Sequence, residues 1–202
     1  WNRRKNGEAV PYLASITRIS EPVSRETRYV AVYADLVDQK RAEEALRWQA
    51  SHDALTGLPN RQLLADRLQG ALVQARRKSG RVAVAYVDLD RFKPVNDDHG
   101  HIAGDFVLQV VADRMRGVLR ASDTLARLGG DEFVAVLGGV GDSNGVRRAL
   151  AALQSAVCEP VVWEGESLQV GCSIGVAFWP EDADDSEALM AAADAAMYAG
   201  KQ

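Results

Sequence analysis

Cysteine is nearly absent. Cys158 and Cys172 are the only two among 202 residues, and neither belongs to a CxxC pair or a Cys/His cluster. Zinc therefore has no support, and the pair is expected to be two buried thiols of a reducing, cytoplasmic setting. An excess of positive charge is missing as well. Lys and Arg number 24 against 28 Asp and Glu, a net charge of −4, so neither a nucleic-acid backbone nor an anionic membrane is an expected partner. An anionic substrate would have to be held by local cations or a metal. No apolar run approaches the length of a membrane span and no signal peptide opens the chain, so this segment is expected to make no membrane contact. A sequence that starts at Trp1 and stops at Gln202 is expected to be a piece of a longer protein, which other segments can anchor to a membrane. Internal repeats and low-complexity tracts are also absent. What remains is an ordinary globular balance, 47% hydrophobic and 26% charged, long enough for one or two domains.

The first 37 residues carry strand patterns, with Asn6-Gly7 in "RKNGE" suited to a type I′ turn. From Asp38 the period becomes helical, with Ala42, Leu46 and Gln49 or Ala50 at helical spacing in a connecting helix over 38–50. "TGLPNR" (56–61) is a turn, and Asn60 caps a helix to about Lys78 with Leu63, Leu64, Leu68, Leu72 and Val73 on one side. "RVAVAYVDLD" (81–90) has the near-continuous apolar run of a buried central strand. "KPVNDDHGH" is expected to be loop, and "AGDFVLQVVADRMRGVLR" an amphipathic helix. "TLARL" and "EFVAVL" flank a hairpin tip. A helix over about 144–157, the segment "PVVWEG", a strand "LQVGCSIGVAF" and a last helix "SEALMAAADAAMYAGK" complete the order. This predicts an α/β (α+β) sandwich whose central sheet is mainly antiparallel and flanked by helices.

Chemistry gathers at two places in that order. Asp88 and Asp90 end the central strand, on one face of it by the alternation of strand side chains. Asp131 and Glu132 sit at the hairpin tip behind Gly129-Gly130, which permit a tight turn and leave room for a bulky ligand. Taken alone, acids at a turn face solvent. If the strand and the hairpin are neighbours, Asp88 and Asp131 converge, and two carboxylates with a carbonyl and water suit Mg²⁺ and a phosphate substrate.

The stretch "RLGGDEF" (127–133) resembles the signature of the GGDEF family, the diguanylate cyclases, at all five defining letters. "DALTGLPNR" (53–61), "VDLDRFKPVNDDHGHIAGDFVL" (87–108), "CSIGVAFWP" (172–180) and "ADAAMYAGK" (193–201) resemble the family's other motifs, so the likeness spans 51–202. More weakly, "RKNGE" and the strand pattern of 1–37 resemble the last strands of a PAS sensory domain. The resemblance implies a reaction in which two GTP condense to cyclic di-GMP and release two pyrophosphates, with Mg²⁺, or Mn²⁺ in its place, as cofactor. It implies that Asp88, the Leu89 carbonyl, Asp131 and Glu132 form the metal site, with Asp131 and Glu132 catalytic and Asp131 the base for the 3′-hydroxyl. Asn96 and Asp105 match the guanine-contacting pair, and donors and acceptors of these two kinds suit guanine and leave adenine unpaired. His101 matches a position near ribose or base, while His99 and His52 are read as structural or surface residues. Main-chain N–H groups at Arg91, Phe92 and Lys93 match a phosphate cradle, and Lys201 matches a phosphate-contacting lysine. A further phosphate-binding arginine is implied just past Lys201, beyond the last residue of this sequence.

"RASD" (120–123) places Arg120 and Asp123 at the spacing of the family's RxxD inhibitory site, where cyclic di-GMP binds as product and inhibitor. The plain alternative is a surface ion pair between residues three apart. Activity in such an enzyme requires a homodimer, because the product joins two mutually attacking nucleotides. The competing reading is a non-catalytic GTP- or cyclic di-GMP-binding regulatory domain, fused in the intact protein to a phosphodiesterase domain.

Overall fold

The computed structural model describes residues 2, 3, 5, 7, 9–20, 27–140 and 143–201. The chain forms two compact units, Trp1–Ala50 and Ser51–Gln202. In the first, β1 (Asn2–Arg3) pairs antiparallel with β2 (Ala9–Val10), and Asn6 of the expected turn lies outside the described residues. β3 (Tyr12–Ser20) and β4 (Thr27–Asp35) form a regular antiparallel ribbon from Tyr12↔Asp35 to Ser20↔Thr27. Leu13, Ile16, Val32 and Tyr33 on it are all exposed. α1 (Val37–Ser51) follows and buries none of its residues; Leu46 and Trp48 both face solvent.

The second unit is built on a four-stranded antiparallel sheet in the order β10-β5-β7-β6. Its strands are β5 (Val82–Asp90), β6 (Thr124–Gly129), β7 (Glu132–Leu137) and β10 (Gly171–Trp179). β5 lies between β10 and β7 and is covered on both faces, which explains its unbroken apolar run. Ala83, Ala85, Val87 and Leu89 face a core built with α3 (Phe92–Val118) and α4 (Ser143–Cys158). Val82, Val84 and Tyr86 face a second core built with α2 (Arg61–Lys78) and α5 (Ser186–Gly200). The result is the helix-flanked antiparallel sandwich the sequence pattern predicts. Among the described residues no helix is long and apolar enough to cross a membrane.

Asn60 does cap α2, its side-chain oxygen accepting from the Gln62 and Leu63 N–H groups at 3.0 and 3.1 Å. The helix buries Leu64, Leu68, Leu72 and Ala75, each leucine worth roughly 1.5–3 kcal/mol of transfer free energy. Val73, expected on that side, is 41% exposed. Two further expectations are corrected. "KPVNDDHGH" is helical: α3 begins at Phe92 and runs through it, broken by the non-helical Gly100 (φ 83°, ψ 164°). Pro94 does not stop this helix because it falls in the first turn, where no intrahelical N–H is required. The expected strand "LQVGCSIGVAF" is also split. Leu168 belongs to a separate hairpin of β8 (Val161–Trp163) and β9 (Glu166–Leu168), turned at Glu164-Gly165 with φ of 49° and 87°.

Candidate active site

Strand pairing brings the two acidic segments together. β5 and β7 are neighbours with Asp88 opposite Glu132, and the Leu89 N–H donates to the Asp131 carbonyl at 3.2 Å. The β6–β7 hairpin bends through Gly129 (φ 142°) and Gly130 (φ 53°), with a register shift between Arg127 and Gly129. Both glycine values lie where a side chain is strained, so the signature glycines shape the turn that presents Asp131.

Asp88 faces the α5 side of the sheet. There the Lys201 ammonium, at the end of α5, donates to Asp88 Oδ1 at 2.6 Å. Partial burial acts to lower the lysine pKa. The hydrogen bond with Asp88 and the negative charges of Asp88, Asp90 and Asp131 outweigh it, so the pKa is raised. A cation thus already sits on Asp88 within the field of two more carboxylates. All the donors are hard oxygens, the ligand type Mg²⁺ and Mn²⁺ take. Among the described residues no three His, Cys, Asp or Glu side chains close into a full metal cage. Mg²⁺ needs only one or two protein carboxylates and completes its shell with phosphate and water.

The neighbouring acids are differently engaged. Asp90 accepts the Ser173 hydroxyl at 2.9 and 3.1 Å. Glu132 accepts the Tyr86 hydroxyl at 3.1 Å. Burial, with the Glu132 charge and hydrogen bond and the Asp194 charge adding to it, pushes the Tyr86 phenol up to about 12, so it remains a donor. The Asp131 carboxylate has no hydrogen-bond partner among the described residues, which leaves it the freer of the two signature acids. Tyr86 is a site residue that the sequence reading passed over. Its signal was a polar-tipped side chain two residues before Asp88, and so on the same strand face.

Arg127, the first letter of "RLGGDEF", was passed over too. It is buried, and its Nε and Nη2 donate to the Gly130 carbonyl at 3.0 and 2.7 Å. Its Nη1 donates to both carboxylate oxygens of Asp53 at 2.9 and 3.0 Å, and its backbone N–H to the Pro59 carbonyl. Asp53 also accepts from the Thr56 N–H and hydroxyl at 2.9 and 2.7 Å. Burial raises the Asp53 pKa, but the Thr56 hydrogen bonds and Arg127 more than reverse this and hold it below the ordinary 3.8. The opening motif and the glycine turn are therefore one hydrogen-bonded assembly.

α3 starts at Phe92, one residue beyond Arg91, which follows Asp90. Arg91 precedes it with φ 62° and makes no side-chain cap, so the first N–H groups of the helix lack a side-chain acceptor, the arrangement that receives phosphate at a helix N-terminus. The Phe92 and Leu89 side chains are in the core, leaving only their main chains for a ligand, while Lys93 is exposed. Asn96 is half-buried and lies against Gly104, next to exposed Asp105; the bend at Gly100 brings the two helical segments together. His101 is exposed. His99 Nδ1 lies 3.5 Å from Glu166 on β9, and His52 Nδ1 lies 2.9 Å from the Ser51 hydroxyl.

Arg120 and Asp123 stand elsewhere. Their contacts are a turn, with the Arg120 N–H on Asp123 Oδ2 at 3.1 Å and the Asp123 N–H on the Arg120 carbonyl at 2.9 Å. The guanidinium forms no ion pair among the described residues. The two residues line a cavity of about 590 Å³ with Leu119, Gly138, Gly139 and Arg148. Arg148, on α4, is a second guanidinium at this cavity that chain order gave no reason to place there. None of the acids at the end of β5 lines it.

Residues 50–202 match the family described as diguanylate cyclase, GGDEF domain. The chain belongs to the GGDEF family. It is 45% identical over 161 residues to the bifunctional diguanylate cyclase/cyclic di-GMP phosphodiesterase MucR of Pseudomonas aeruginosa, covering 80% of this chain and 23% of that protein. It is 42% identical over 159 residues to the diguanylate cyclase TpbB of the same organism, covering 78% of this chain and 37% of that one. The solved GGDEF domain of TpbB superposes with a TM-score of 0.72 at 42% identity, covering 74% of this chain and 88% of that chain. The GGDEF chain thus spans from about a quarter to somewhat over a third of the length of these curated relatives.

Proposed function

We propose that this GGDEF domain is a diguanylate cyclase, condensing two GTP into cyclic di-GMP with release of two pyrophosphates. What supports the reading is the strand pairing that sets Asp88 beside the hairpin carrying Asp131, with the Lys201 ammonium on Asp88 and the uncapped start of α3 a few residues further along the chain. Asp88, Asp131 and the Leu89 carbonyl would hold Mg²⁺ or Mn²⁺, which supplies charge neutralisation of the triphosphate and of the attacked α-phosphorus. Lys201 then serves the phosphates, the α3 N–H groups at Phe92 and Lys93 receive them, and Asn96 and Asp105 hold guanine, with His101 beside the nucleotide. Asp131, with no partner of its own among the described residues, takes the proton of the 3′-hydroxyl. Glu132, held by Tyr86, keeps that end of the hairpin acidic and oriented.

One domain offers one set of guanine contacts, so the reaction needs two chains facing each other, and exposed Leu46 and Trp48 on α1 make that helix the candidate dimerisation device. Residues 1–37 are read as the closing strands of a PAS-like sensory domain, 38–50 as its linker and 51–202 as the cyclase domain of a cytoplasmic signalling segment. Arg120 and Asp123, with Arg148 beside them, form the product-inhibition site, since an arginine fork pairs with guanine O6 and N7. Cyclic di-GMP production from GTP and Mg²⁺, measured with and without added product, tests the whole reading. Asp131→Asn is expected to lose about 100-fold or more in rate, the scale of a missing general base, while Arg120→Ala keeps turnover and loses inhibition. An active Asp131→Asn variant overturns the site assignment, and a silent wild type that still binds GTP favours the regulatory reading.

A further inference from the structure

We propose that Gly104 is a specificity-determining position, because its missing side chain is the space in which the Asn96 carboxamide lies. The inference rests on the reading of Asn96 and Asp105 as the guanine-contacting pair. Asn96 and Gly104 are eight residues apart, and in an unbroken helix that separation is about 12 Å along the axis. Gly100, at φ 83° and ψ 164°, breaks the helix between them and brings the two segments into contact. A Cβ placed on Gly104 would overlap the Asn96 side-chain oxygen, and would lie 2.9 Å from Asn96 Cγ and 3.2 Å from the Phe92 ring edge.

The surroundings decide which group would yield. Phe92 and Val95 are buried in the core shared with β5, so the first segment cannot retreat without pulling both out of it. Gly104 is buried, between buried Ala103 and exposed Asp105. The half-buried Asn96 carboxamide is the one group that can rotate away cheaply, and rotation takes it out of the space at Gly104. A methyl group at 104 therefore removes a base contact without replacing any base-contacting residue. Alanine is also a better helix former than glycine, so the substitution carries no intrinsic penalty to the helix. Gly104 is thus a positioning residue, and loss of guanine recognition is separated from loss of fold.

The test is calorimetric titration of the chain with a non-hydrolysable GTP analogue and, separately, the matching ATP analogue, for wild type, Asn96→Ala, Gly104→Ala and the double variant. Thermal melting accompanies each. Asn96→Ala and Gly104→Ala are each expected to weaken the GTP analogue about tenfold, the size of one lost hydrogen bond. The ATP analogue should be unaffected. Gly104→Ala should melt no lower than wild type, and the double variant should bind no worse than Asn96→Ala alone, since the clash disappears with the carboxamide. If Asn96→Ala weakens binding and Gly104→Ala does not, the role of Gly104 is wrong and the guanine pair stands. If Asn96→Ala binds like wild type, the guanine pair itself is wrong and Gly104 falls with it. Additive losses in the double variant, or a Gly104→Ala protein that unfolds and is not rescued by Asn96→Ala, also overturn the proposal.

Discussion

A guanidinium that is 9% exposed within a sheet must find both charge and acceptors, and Arg127 finds them in Asp53 and the Gly130 carbonyl. Its fork ties the segment entered from α1 to the turn that carries Asp131. Removing it leaves a carboxylate with less support and a turn with its carbonyl unpaired. Arg127→Ala is expected to cost about 3 kcal/mol at neutral pH, as breaking one side of a buried pair does. The sign of the pH dependence follows from Asp53, whose folded value is depressed. Its contribution is complete above the ordinary value of 3.8 and is lost as pH falls through the lower folded value. Urea melts should therefore show the gap between wild type and variant narrowing in acid. A gap that is absent at neutral pH would contradict the clamp.

At the scale of elements, β5, α2, the β6–β7 hairpin and α5 were legible because each carries a long periodic or apolar signal and, for α2, a capping asparagine. The first half of α3 was not. Its helix carries Pro94 in the first turn and ends at Gly100, both of which read locally as breakers, and the tertiary contacts of Phe92 and Val95 hold the segment between them helical. The convergence of Asp88 with the hairpin was legible as a condition and needed strand order to be met. Arg127 with Asp53, and Tyr86 with Glu132, were not legible, because pairs 74 and 46 residues apart leave no trace in local pattern. The close seating of α5 was equally hidden. A Cβ on Gly175 of β10 would overlap Met197 N and the Ala193 carbonyl, and would lie 2.6 Å from Met197 Cα, all main-chain atoms that cannot rotate away. Gly175→Ala is expected to destabilise the domain by about 1–3 kcal/mol, the usual cost of overpacking. It should also lower GTP affinity, because Lys201 rides on the end of α5. Denaturant melts and nucleotide titration of the same protein check both, and wild-type stability would contradict the close packing.

On the scale of the whole molecule, the acids, the start of α3, Asn96 and Asp105 all belong to one domain, and on the proposed reading they form one nucleotide site, whereas cyclic di-GMP contains two guanylates. On that reading a lone chain prepares half of the reaction, and the second half comes from another copy. The measurement that tests this most directly is the rate and stoichiometry of GTP conversion with Mg²⁺ across a dilution series, with cyclic di-GMP and pyrophosphate both quantified. The expected result is two pyrophosphates per cyclic di-GMP, a rate per chain that falls as dimers dissociate, and no conversion of ATP. Release of GDP and inorganic phosphate instead, or a rate per chain that holds through demonstrated monomer, would contradict the assignment.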